Sequence, residues 1–213
     1  MTPIPRTRVK ICGITRPEDG AIAAELGVDA IGLVFYPPSS RFVDVATAQQ
    51  IVAALPPLIT VVGLFMNAES TAVQAVVESV RIDLLQFHGD EEPDVCAKFG
   101  RPYLKAVPMG AGADVRDYEQ RFASATGLLL DSHSGQKMGG TGQHFDWTRI
   151  PAKRQKPLIL AGGLHPGNVA EAIRQVRPYA VDVSSGVESA KGAKDAALMR
   201  AFLRGVYDCE SHA

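Results

Sequence analysis

Cys12 ends the apolar-rich run RVKIC, and Asp131 ends the run GLLLD. Both side chains titrate, so both can exchange protons, and each stands where a strand hands over to a loop. Lys10, Gln86, His88 and Asp182 break or follow short runs otherwise built from Val, Ile, Leu and Phe. For these polar residues a satisfied buried hydrogen bond or ion pair is the structural alternative to substrate binding; Lys10 with Asp182 is one such pair. Two turns carry a different chemistry. AGGLHPGNV supplies Gly162 and Gly163, which let the backbone approach a ligand closely, and DVSSGVE supplies the N–H groups and hydroxyls of Ser184, Ser185 and Gly186. Turns leading into helices gather unpaired N–H donors and suit an anion such as phosphate.

These residues need a scaffold that brings strand ends together. The chain repeats a short apolar strand, a turn and a helical stretch. Strands are predicted at 9–12, 30–35, 60–65, 84–87, 103–107, 127–130, 158–161 and 180–183, and helices at 17–26, 46–55, 70–80, 92–99, 115–122, 168–176 and 193–206. The segment after the sixth strand reads mainly as loop, with a weak or very short helix. Thr15 and Glu18 have capping-box spacing, Pro17 suits a first helical turn, and Gly27 suits a left-handed residue after the helix. Alternating β and α elements imply a parallel sheet. Eight units in 213 residues favour a single α/β domain, a (β/α)₈ TIM barrel over residues 1–213 with its core at about 8–206. An open doubly wound sheet is the alternative, but only Gly13 follows the first strand where a glycine-rich loop is wanted.

Strand parity then sorts the side chains. With Val9 and Ile11 toward the helices, Lys10 and Cys12 face the barrel interior; with Leu85 and Phe87 outward, Gln86 and His88 face in. Cys12 and Asp131 fall at the C-terminal rim, where barrel active sites lie, and the turns after strands seven and eight are where barrels bind phosphate. Cys96, within a helix, reads as inert packing, and Cys209, in the polar tail DCESHA, as exposed.

The composition narrows the partners. Lys and Arg total 22 against 23 Asp and Glu, which gives no electrostatic reason to expect nucleic acid or an anionic membrane. No apolar run is long enough to cross a membrane and no signal peptide is read, so the expected compartment is the cytoplasm. The three cysteines read as free thiols, and the five histidines lack metal-ligand spacing, so neither metal nor other cofactor is expected.

KICGIT, GLVFYPPSSRFV, LLQFHGDE, LLLDS, GGTGQHFDW, LAGGLHPGNV and VDVSSGVE together resemble the phosphoribosylanthranilate isomerase family of tryptophan biosynthesis, over about residues 8–206. KICGIT and GGTGQHFDW are the most specific of these stretches; Ser40 departs from the Pro common in the family. The resemblance implies an Amadori rearrangement of N-(5-phosphoribosyl)anthranilate to 1-(2-carboxyphenylamino)-1-deoxyribulose 5-phosphate. It implies Asp131 as general acid, Cys12 as general base and Arg41, in YPPSSRFV, as the grip on the anthranilate carboxylate. The substrate-binding set then comprises Arg41, Gln86, His88, Gly162, Gly163, Asp182, Ser184, Ser185 and Gly186, in a monomer or homodimer. Indole-glycerol-phosphate synthase and thiamin-phosphate synthase resemble only the phosphate half, and the former wants a Lys and Glu pair that KICG lacks at Cys12. A catalytically silent phosphosugar-binding protein would have no need of both Cys12 and Asp131.

Overall fold

The computed structural model describes residues 6–132 and 145–210. Its strands are β1 (Arg8–Cys12), β2 (Ala30–Val34), β3 (Thr60–Phe65), β4 (Leu84–Phe87), β5 (Tyr103–Pro108), β6 (Gly127–Asp131), β7 (Leu158–Leu160) and β8 (Ala180–Val183). They pair in parallel in chain order, and β8 returns to β1, closing a barrel. The chain returns between strands through α1 (Pro17–Glu25), α2 (Val45–Ala53), α3 (Ser70–Ser79), α4 (Pro93–Ala97), α5 (Val115–Arg121) and α6 (Val169–Val176), and ends in α7 (Ala196–Glu210). Between β6 and β7 the described residues hold only a 3₁₀ turn at Trp147–Arg149, in line with the weak helix expected there.

Local chemistry explains several element ends. Pro17 opens α1, and Gly27 follows it at φ +89°, a left-handed stop. The capping box expected from Thr15 and Glu18 does not form. Arg16 is the N-cap, with no side-chain cap bond, and the Thr15 hydroxyl donates to the Gly192 carbonyl at 2.5 Å. In α2 the Asp44 carboxylate accepts from the Thr47 N–H at 2.7 Å, satisfying one orphan donor of the first turn.

The expected helix 193–206 is corrected: its first residues form a strand. Glu188–Ala190 (β9) and Ala193–Lys194 (β10) make a small antiparallel hairpin, and α7 starts at Ala196. Cys209 is also corrected. It is buried at the end of α7, and its thiol donates to the Ala170 carbonyl at 3.4 Å.

The main core lies between barrel and helices. Val9, Ile11, Leu85 and Phe87 belong to it, as parity requires. On this outer face Phe35, Phe65, Phe87 and Phe99 run in successive ring contacts of 5.4, 6.2 and 5.9 Å. Truncating such a buried ring costs about 3–5 kcal/mol. Inside the barrel, Leu104, Ala106, Leu129, Ile159, Ala161 and Ala180 form a separate apolar plug. Polar side chains crowd above it, toward the C-terminal ends of the strands.

Candidate active site

A cavity of about 730 Å³, counting its open mouth, occupies that C-terminal end. Cys12, Arg41, Gln86, His88, Asp131, Gly162, Gly163, Asp182, Ser184 and Ser185 all line it. Gly186 does not; it packs behind the wall, where an added Cβ would stand 2.0 Å from the Leu164 carbonyl oxygen. GGTGQHFDW lies outside the described residues from 139 to 144.

The floor is a buried ion pair. Lys10 and Asp182 sit opposite each other on β1 and β8, and Lys10 Nζ donates to both carboxylate oxygens at 3.0 Å. Burial alone would lower the Lys10 ammonium, but Asp182 and Cys12 hold it above its ordinary value. Burial pushes the Cys12 thiol up; Lys10 and Lys194 pull it down, and Asp182 adds to the rise. Lys10 is thus one cation serving two acidic neighbours, and its charge is largely spent on Asp182. Gly32, beside Cys12 on β2, keeps room for the thiol: an added Cβ would lie 2.7 Å from Sγ. Val34 and Leu64 pack around that sulfur as an apolar collar.

On the facing wall, His88 Nε2 lies 3.0 Å from Asp131 Oδ2, and Gln86 Nε2 lies 3.1 Å from His88 Nδ1. His88 thus bridges Gln86 and Asp131, with one ring nitrogen toward each. Gln86 therefore acts on Asp131 through His88. The loop behind His88 is fixed by Glu91, whose carboxylate accepts from the Asn67 and Gly89 N–H groups and from Lys105 Nζ at 2.8 Å. Lys105 is 1% exposed, on the helix side of β5.

The turn after β7 has a backbone that only glycine adopts readily. Gly162 and Gly163 stand at φ +82° and +69°, where side chains are rarely accommodated. Ser184 and Ser185 lead into a 3₁₀ turn at Ser185–Val187, and α6 begins at Val169 after the other turn.

Arg41 departs from the simple expectation of a guanidinium waiting for a ligand. Its Nε and Nη2 donate to the two oxygens of Glu188 at 2.7 and 2.8 Å, so one edge of the fork is already taken. Its shaft crosses Gly13, where an added Cβ would meet Arg41 Cδ at 2.5 Å, and this brings it beside the Cys12 loop. Lys194 Nζ donates to Glu188 Oε1 at 2.8 Å and to the Ser184 carbonyl at 3.1 Å. Sequence reading missed Glu188, Lys194, Glu91 and Lys105 as site-supporting residues. For Glu188 and Lys105 the signal was a charge within or beside an apolar strand run, VDVSSGVE and YLKAV.

Among the described residues no group of three His, Cys, Asp or Glu side chains is arranged to hold a metal, and no helix is long and apolar enough to cross a membrane.

Comparison with known proteins agrees with this fold. The family model of N-(5'-phosphoribosyl)anthranilate (PRA) isomerase matches residues 9–205. N-(5'-phosphoribosyl)anthranilate isomerase of Nitrosococcus oceani is 58% identical over 201 residues, covering 94% of this chain and 98% of that protein. The Pseudomonas putida protein of the same name is 55% identical over 93% of this chain and 97% of its own length. The crystal structure of phosphoribosyl anthranilate isomerase from Thermotoga maritima superposes with a TM-score of 0.85 at 38% identity, covering 95% of this chain and 99% of that one. A further isomerase structure, in complex with reduced 1-(o-carboxyphenylamino)-1-deoxyribulose 5-phosphate, superposes at 0.79 with 37% identity, covering 95% and 99%. With its barrel and nearly its whole length matched, the chain belongs to the N-(5'-phosphoribosyl)anthranilate isomerase family.

Proposed function

We propose that Cys12 and Asp131 are the base and acid of the Amadori rearrangement that this isomerase of tryptophan biosynthesis catalyses. The observation that carries the assignment is that both side chains open on one cavity, beneath two turns suited to phosphate. Asp131 gives a proton to the furanose ring oxygen of N-(5-phosphoribosyl)anthranilate. The bond from C1′ to that oxygen breaks with its electrons on oxygen, and the nitrogen lone pair completes a Schiff base. The Cys12 thiolate then removes the proton from C2′, the C1′–N π electrons return to nitrogen, and the enol formed ketonises to the aminoketose. Atoms balance, since the product is an isomer, and no external oxidant or reductant enters.

The phosphate is assigned to the backbone of Gly162, Gly163, Ser184 and Ser185, and the ring carboxylate to the edge of Arg41 turned away from Glu188. His88, held by Gln86, orients Asp131; Lys10 and Asp182 form the polar floor. The cytoplasm is the compartment that suits free Cys12, Cys96 and Cys209. A homodimer is one assembly this reading allows; a Thermotoga maritima relative is described as dimeric.

The test follows the fluorescence decay of phosphoribosylanthranilate. Cys12→Ala and Asp131→Asn are each expected to lose about 10²–10⁴-fold in kcat while still binding the reduced product analogue. Near wild-type turnover in Cys12→Ala would return that thiol to inert packing.

A further inference from the structure

Arg41, Glu188 and Lys194 form a cluster whose charges do not cancel. Two cations share one carboxylate: Arg41 by a two-bonded fork and Lys194 through Oε1. The Arg41 and Glu188 side chains are only 12% and 5% exposed, and that of Lys194 is fully buried. Nearby, Lys10 and Asp182 neutralise each other. Counted over Arg41, Lys194 and Glu188 alone, cations outnumber the carboxylate in poorly hydrated surroundings, an arrangement that favours an approaching anion. Burial lowers the Lys194 ammonium from its ordinary value, and Glu188 works against that. The guanidinium has five N–H donors, and Glu188 takes two of them on one edge. That pairing fixes the plane and rotation of the fork, and so decides where the opposite edge points.

We propose that Glu188 is a positioning residue that makes the site selective for ligands bearing a ring carboxylate, by holding Arg41 with its second edge toward the cavity. Lys194 fixes Glu188 in turn and, through the Ser184 carbonyl, ties this carboxylate grip to the anion-binding turn after β8. The inference rests on the assignment of the ring carboxylate to Arg41.

The experiment compares wild type, Glu188→Gln and Arg41→Ala with three probes: reduced 1-(o-carboxyphenylamino)-1-deoxyribulose 5-phosphate, the phenylamino counterpart without the carboxylate, and inorganic phosphate. Glutamine keeps an acceptor for Lys194 but sets an amide N–H₂ against an Arg41 donor, so it disrupts the fork selectively. Glu188→Gln is expected to weaken the carboxylate-bearing probe about tenfold, the size of one lost charge-assisted hydrogen bond. The other two probes should change by less than about twofold, and KM should rise more than kcat falls. If Glu188→Gln fails to fold, Glu188→Asp, which withdraws the carboxylate by one methylene, should give the same selective loss. Equal losses for both organic probes, or no loss in a folded variant, overturn the proposal. Carboxylate preference abolished by Arg41→Ala but kept by Glu188→Gln overturns it alone. A wild-type enzyme indifferent to the carboxylate overturns the Arg41 assignment, and this inference with it.

Discussion

The thiol at residue 12, the proposed base, is placed where its neutral form is favoured. Burial pushes the thiol up, and the nearest cation, Lys10, is shared with Asp182. A buried thiol is a slow nucleophile, because only the thiolate reacts. We therefore expect Cys12 in the ligand-free enzyme to be alkylated slowly by iodoacetamide at neutral pH, at a rate that climbs with pH. Lys10→Met, which removes a group pulling the thiol down, should slow alkylation further; a faster rate would mean that Lys10 does not act on the sulfur. Cys96 gives a contrast, for burial pushes it up to about 12 from an ordinary 9.0. In the unfolded chain it loses its proton near 9.0 and in the folded chain it keeps it, so the unfolded state binds fewer protons over that window. Stability should thus fall as pH rises above about 9, and Cys96→Ala should flatten that fall in urea titrations. The rim positions of Cys12 and Asp131 were legible in the sequence because each is a titratable residue ending an apolar strand. Lys105 was not, because its partner Glu91 follows a different strand and the pairing exists only once β4 and β5 are side by side.

Strands were legible almost to the residue, since each is an apolar run bounded by turn residues and the barrel buries both of its faces. The hairpin of β9 and β10 was not. Ala193 and Lys194 continue into the helical sequence of α7, and propensity alone runs them together; what makes them a strand is pairing with Glu188–Ala190 and the bond from Lys194 N–H to Asp19 at 3.2 Å. That hairpin also carries Glu188 and Lys194, so the element misread in sequence is the one that organises Arg41. The two turns proposed to hold the phosphate meet at Gly186. A methyl group there would press on the Leu164 carbonyl, a backbone atom that cannot rotate away. Gly186→Ala must push the turns apart, at about 1–3 kcal/mol of overpacking. KM should rise and inhibition by inorganic phosphate should weaken, with kcat much less affected. Unchanged phosphate inhibition would separate Gly186 from the anion site.

Closure of the whole barrel depends on β1 meeting β8, and the buried pair of Lys10 and Asp182 lies across that seam. Both side chains are under 10% exposed, so the pair has given up most of its hydration. Such pairs are costly to break from one side, about 3–5 kcal/mol, yet often replaceable together by apolar residues of similar volume. Lys10→Met leaves Asp182 buried and unpaired, and Asp182→Leu leaves an ammonium with only the thiol of Cys12 for company. Burial already presses Asp182 toward its neutral form, so in Lys10→Met it takes up a proton more readily than in the unfolded chain. That variant should regain stability as pH falls, because a carboxyl with a raised folded value stabilises at low pH and loses that contribution as pH rises through it. The double variant Lys10→Met with Asp182→Leu should lose less in urea unfolding than the two single losses added, and less than either alone. All three should be impaired in turnover, which separates what the pair does for catalysis from what it does for closure. Strictly additive losses would show that the ions are solvated independently, and that the seam is held by the strand hydrogen bonds and the apolar plug beneath it.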